Sequence, residues 1–139
     1  MKAALVRIGI DGSYGKWNAP SDICSKEFVY IPIPETGTFA PGMETHYSAF
    51  NTALAKFPLA CNKGIAKGSV MLPGNIAGGN THLDPDFEYL SYGDDGKYRG
   101  RKISDFKSGD LIVFYAGLKC VHTHKLVYAI IGIYVVDSV

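Results

Sequence analysis

A chain of 139 residues with 47% apolar and 19% charged side chains is long enough to bury a core and too apolar to stay disordered. Its net charge of +1 supplies no global attraction to nucleic acid or anionic lipid. Three widely spaced cysteines (Cys24, Cys61 and Cys120) and the absence of a secretory signal predict reduced thiols in the cytoplasm.

Residues 3–10 are apolar nearly throughout and predict a first strand buried on both faces. A glycine-bracketed loop follows, Asp11-Gly12-Ser13-Tyr14-Gly15, and continues through Trp17. Residues 28–34 read as a second strand, placed at an edge because Pro32 and Pro34 cannot donate ladder hydrogen bonds. Residues 43–57 predict the one main helix, with Tyr47, Phe50, Leu54 and Phe57 on a single apolar stripe and Pro58 as its stop. Residues 59–79 lack periodicity and predict a long irregular connection with at most one short strand. A helical turn near residues 103–107 and a Ser108-Gly109-Asp110 turn lead into a buried strand over residues 111–116. Residues 126–136 form the last strand, bent at Gly132. That run is the longest apolar one and falls far short of the roughly 20 residues of a membrane helix. The whole describes one α+β domain over residues 1–139, with long loops and no repeat or linker.

Chemistry concentrates in "THLDPDFEYL", residues 81–90. In an extended chain His82, Asp84 and Asp86 share a face, and Pro85 favours extension at Asp84. The set suits metal ligation or proton transfer, yet H-x-D-x-D identifies no enzyme class, and carboxylates in such loops ordinarily cap turns. No metal and no cofactor is assigned. The Asp11–Gly15 loop follows a strand as phosphate loops do, but lacks both G-x-G-x-x-G and G-K-[ST]. Tyr14 and Trp17, beside Arg7, Lys16 and Asn18, better fit stacking on a planar ligand, although a hydrophobic loop folding back on the core is the plainer reading. Cys120, His122 and His124 alternate with zinc-compatible chemistry but have no fourth ligand nearby, so a solvated hairpin loop is the plainer reading. Ser13 lies in no nucleophile elbow.

Residues 103–117 read as a short helix, a Gly-Asp turn and a strand ending in aromatics, followed after a loop by another apolar strand. This arrangement resembles the core of PUA-like domains, small mixed β-barrels that include the EVE, ASCH and YTH modules. The segments "FVYIPIPE", "THLDPDFEYLSYGD", "RG" (Arg99-Gly100), "GDLIVFYAGL" and "YAIIGIYVVD" are similar to the family called nucleotide modification associated domain, type three. That family is associated with DNA-modification systems, and its members often continue past the last strand. The resemblance implies a PUA-like mixed barrel with one main helix. It also implies a partner, a nucleic acid or nucleotide carrying a modified base, held in a loop-lined pocket. Tyr14, Trp17, Tyr92 or Tyr115 would stack on the base, and Asp11, Asp84 or Asp86 would accept hydrogen bonds from its edge. Arg99 and Arg101, with Lys97 and Lys102, would hold phosphates. The alternative is a metal-dependent or acid/base enzyme acting through His82, Asp84 and Asp86, with His82 and Asp84 as the catalytic pair. A third reading, a protein-interaction domain, requires a large exposed apolar face, which the sequence does not reveal.

Overall fold

The computed structural model describes residues 1–37, 42, 44–59, 68–93 and 103–138. In chain order its elements are β1 (Ala3–Arg7), β2 (Pro20–Asp22), β3 (Glu27–Phe28), β4 (Glu44–His46), a 3-10 turn (Tyr47–Phe50), α1 (Asn51–Leu54), α2 (Gly74–Ala77), β5 (Asn80–His82), β6 (Leu111–Cys120) and β7 (Leu126–Val135). β6 organises the main sheet. Ile112, Phe114, Ala116, Leu118 and Cys120 follow the period of two and are all buried. β1 runs parallel to its first half and β2 parallel to its end, with Ser21 opposite Cys120. β7 lies antiparallel along the other edge, and β3 extends β2. A separate pair, β4–β5, sets Glu44 opposite His82. The fold is mixed, mostly strands with few helical residues, and among the described residues no ladder closes the main sheet into a barrel.

Two apolar clusters fill the inner side. One joins Ile10, Ile31 and Leu118 to Tyr47, Leu54 and Phe57, the stripe expected on the helix. The other joins Ile8, Phe106, Ile112, Phe114, Tyr134 and Val136. Full burial of each such side chain stabilises by about 1.5–3 kcal/mol. Asp110 ties the ends of three strands together. Its carboxylate accepts the amides of Lys2 and Lys107, and its carbonyl accepts the amide of Val136. The Gly-Asp turn is thus a clamp on β1, β6 and β7.

Besides β6 running on past residue 116 to Cys120 and α2 forming inside the connection expected to be irregular, three expectations change. The helix is shorter than residues 43–57: Glu44–His46 is strand, and His46 Nδ1 accepts the Ser48 amide at 3.1 Å, a cap that starts the helical segment only at Tyr47. Met43 lies outside the described residues. Residues 28–34 make no continuous ladder, because Pro32 and Pro34 offer no N–H. Ile31 and Ile33 instead accept single bonds from Ile10 and His82 and tie the two sheets together. The third change concerns β1 and β7. Leu5 is 68% exposed, and on β7 Ile130, Ile133 and Val135 are also exposed. Leu5, Val113 and Ile133 form one cross-strand row, and Ala3, Leu111 and Val135 another. The first strand is therefore buried on one face only, and the sheet carries an outer apolar face that no described element covers.

The bend of β7 comes from a bulge. Phe114 stands opposite Gly132 and Tyr115 opposite Ile130, so Ile131 is the extra residue. Residues 60–67 lie outside the described residues; at their flanks Leu59 N donates to Gly68 O and Val70 N to Phe57 O.

Candidate ligand pocket

The site begins with how β5 is held. Glu35 N donates to Asn80 O at 3.1 Å and His82 N to Ile33 O at 2.8 Å, so residues 33–35 run beside β5. That pairing sets the Glu35 carboxylate against the His82 ring. Glu35 Oε2 hydrogen-bonds His82 Nδ1, while Oε1 accepts the amides of Thr36 and Gly37 at 2.7 Å each. The His82 bond, aided by the Gly37 amide, holds the Glu35 carboxyl below its ordinary value. An ionised carboxylate only accepts, so the bonded proton belongs to Nδ1 and Nε2 turns to the other side. There Asp84 Oδ2 stands 3.6 Å from Nε2, and Asp84 Oδ1 accepts the Gly93 amide at 2.8 Å. Glu35, His82 and Asp84 form a line of carboxylate, imidazole and carboxylate.

His82 and Asp84 face a cavity of about 550 Å³, within the range of small-ligand sites. Its opposite wall is the first loop, with Asp11, Ser13 and Tyr14. Gly12 and Gly15, at φ +87° and +66°, let this loop turn back on itself, and Gly12 N donates to Trp17 O at 2.8 Å. Arg7 pairs with Asp11 and lays its guanidinium 5.4 Å from the centre of the Tyr128 ring. Ile8, Gly9, Ile33, Tyr92 and Gly93 complete the lining, and Tyr92 is braced edge-on against Phe114 at 5.2 Å. Behind Asp84, burial and the Asp84 charge raise the Tyr30 phenol. Its hydroxyl has no hydrogen-bond partner among the described residues.

His82, Asp84, Asp11, Tyr14 and Tyr92 thus share one cavity, although the sequence separates them by up to 81 positions (92 − 11). The other nominated residues lie elsewhere. Trp17 lines a second, apolar cavity of about 250 Å³ with Pro58, Val70 and Cys120. Tyr115 lines an outer groove with Leu5, Tyr128 and Ile130, which meets the main pocket only through Arg7. Asp86 is buried and caps a turn, accepting the amides of Glu88 and Tyr89 at 2.9 and 3.1 Å. Arg99 and Arg101, with Lys97 and Lys102, lie outside the described residues. Glu35 is the residue that spacing did not find. It closes the quoted segment "FVYIPIPE", but nothing local connects position 35 to position 82. Arg7, which the sequence sets beside the Tyr14–Trp17 loop without a role of its own, also lines the cavity.

The sequence pattern of nucleotide modification associated domain 3 matches residues 2–139. The chain belongs to that family. No curated protein and no solved structure matches it. The match spans the nucleotide modification associated domain from β1 to the end of β7, so both walls of the pocket belong to it. Among the described residues no helix is long and apolar enough to cross a membrane.

Proposed function

We propose that this domain recognises a modified base or nucleotide in the cavity between the first loop and the His82–Asp84 wall. The observation that supports this most is the convergence there of Asp11, Asp84, His82, Tyr14 and Tyr92. Two carboxylates suit the amino and ring N–H donors of a base edge, and two tyrosines offer flat contacts for its ring. Arg7, paired with Asp11, is the arginine in the described lining that would meet a phosphate. A base read in this way leaves its stack first. The PUA-like resemblance belongs to the same proposal, as do phosphate contacts by Arg99 and Arg101, whereas Tyr115, in the outer groove, takes no part in it. With a net charge of +1, sequence-independent affinity for nucleic acid is weak.

The test is calorimetry and thermal shift with free modified and unmodified nucleotides, in chelator-treated buffer. Binding of a modified nucleotide is expected, with Asp84→Ala weakening it by roughly 10-fold or more, the range of a hydrogen bond to a charged group. Failure of every nucleotide to bind, or full affinity in Asp84→Ala and Tyr14→Ala, overturns the proposal.

The Glu35–His82–Asp84 line favours one second reading, an acid/base enzyme acting on the same ligand. Glu35 would orient His82, whose Nε2 would move a proton beside Asp84. Turnover of a bound nucleotide that vanishes in His82→Gln while binding survives selects this reading.

A further inference from the structure

The geometry points to a second site, in which Asp22, Cys24 and His122 bind a zinc-class divalent cation at the junction of the β2–β3 and β6–β7 connections. One ligand atom from each of the three lies within 4.8 Å of the others. His122 Nε2 is 3.0 Å from Asp22 Oδ1. Two nitrogen or oxygen ligands bonded at about 2.0–2.1 Å to a tetrahedral ion lie about 3.3 Å apart, and a thiolate at about 2.3 Å lies slightly farther from each. Side-chain movements on the order of 1 Å therefore close the three on one ion.

The backbone holds these residues together across 100 positions (122 − 22). Parallel pairing sets Ser21 opposite Cys120, and Val121 N donates to Ser21 O at 2.9 Å. On the other side, Asp22 Oδ1 accepts the Cys24 and Ser25 amides at 2.8 and 3.3 Å, which fixes Cys24 beside it. These two bonds and the His122 contact all use Oδ1 of the Asp22 carboxylate, and Oδ2 takes no hydrogen bond among the described residues. Cys24 is a free, exposed thiol. Asp22 and His122 alone would be an ordinary surface ion pair; the sulfur changes the chemistry. One thiolate, one imidazole and one carboxylate suit zinc or cobalt, whereas calcium and magnesium require oxygen shells. Three protein ligands leave the fourth position to solvent. This is a different trio from the one that alternation along residues 120–124 suggests: Cys120 is buried in the wall of the second cavity, and His122 finds its partners on β2 and the turn after it. None of the three lines the main pocket.

The test titrates the reduced, full-length chain with Co²⁺ alone and then displaces it with Zn²⁺. A thiolate-to-cobalt charge-transfer band is expected, saturating at one equivalent. The band disappears in Cys24→Ser, metal affinity falls by about 10-fold or more in His122→Ala, and Cys61→Ser and His124→Ala leave both unchanged. Zn²⁺ also slows iodoacetamide labelling of Cys24, read peptide by peptide. Absence of the band, its survival in Cys24→Ser, its loss in Cys61→Ser, or unaltered Cys24 labelling overturns the site.

Discussion

The ring of Phe87 lies over Gly132 so closely that a Cβ on the glycine would stand 2.5 Å from Phe87 Cε1. The ring is held on three sides but keeps an open one, Phe87 being 36% exposed. It packs edge-on against Tyr30, Phe114 and Tyr134 with centroid separations of 6.0, 5.8 and 5.7 Å. Gly132→Ala is therefore expected to destabilise by about 1 kcal/mol, the low end of the cost of overpacking, because the ring can tilt toward its open side. Urea unfolding measures it, and Phe87→Leu in the same chain should recover a large part of the loss through direct coupling. A Gly132→Ala chain as stable as the parent would mean that Phe87 does not sit where it is described.

That contact also helps to place the loop that follows His82. Phe87 and the Tyr134 hydroxyl, which donates to Asp86 O at 2.6 Å, bolt the loop to β7. The bolt presents Asp84 to the pocket and turns Asp86 away from it. Alternation in the sequence correctly paired His82 with Asp84, because that relation is local. It failed at Asp86, where the Asp86–Ser91 bridge and the left-handed Leu90 (φ +54°) reverse the chain. Glu35 reaches His82 through pairing of distant segments, and spacing contains no record of such pairing. The outer face of β1 and β7 was hidden for a different reason. An apolar run with no polar alternation looks the same whether one face or both are covered.

Opening of that face to solvent has a measurable consequence. Ile133 is exposed and Phe114 is fully buried, although both belong to neighbouring apolar strands. Phe114→Ala is expected to cost about 3–5 kcal/mol. Ile133→Thr should stay within about 0.5 kcal/mol in the monomer. Comparable losses at the two positions in dilute denaturant titrations would show that the β7 face is covered.

Glu35 supplies a pH prediction. Its folded carboxyl lies below the ordinary value of 4.5, mainly because it accepts the His82 hydrogen bond. The folded state therefore binds fewer protons than the unfolded one in this range. The associated stability is present above about 4.5 and is lost as the pH falls through the lowered folded value. Carbon-detected NMR titration should place the Glu35 midpoint below 4.5, and His82→Ala should move it back upward. A midpoint unmoved by His82→Ala would break the Glu35–His82 link on which the orientation of the imidazole rests.

Asp110 follows the same sign through different partners. The Lys2 and Lys107 amides keep its carboxyl low, the Lys2 bond being the larger influence. Asp110→Ala should lower the melting temperature more at pH 7 than at pH 3, because protonation has already weakened the parent clamp at the lower pH. Loss of the clamp acts first on the start of β1, so hydrogen exchange at the Leu111 amide, which donates to Lys2 O at 3.0 Å, should accelerate in the variant. An equal loss of melting temperature at both pH values would separate Asp110 from any charge-dependent role.

The single tryptophan distinguishes the two cavities without any mutation. Trp17 lines the smaller apolar cavity and is absent from the lining of the one that His82 and Asp84 face. A nucleotide bound against Asp84 and Tyr14 does not touch the indole, so Trp17 emission should change little while calorimetry reports binding. A planar ligand that enters the smaller cavity stacks near the indole and quenches it. The expected result is binding that is lost in Asp84→Ala and leaves the fluorescence nearly silent. Strong quenching that persists in Asp84→Ala would move the ligand to the Trp17 cavity, and the carboxylates of the larger pocket would then have no part in recognition.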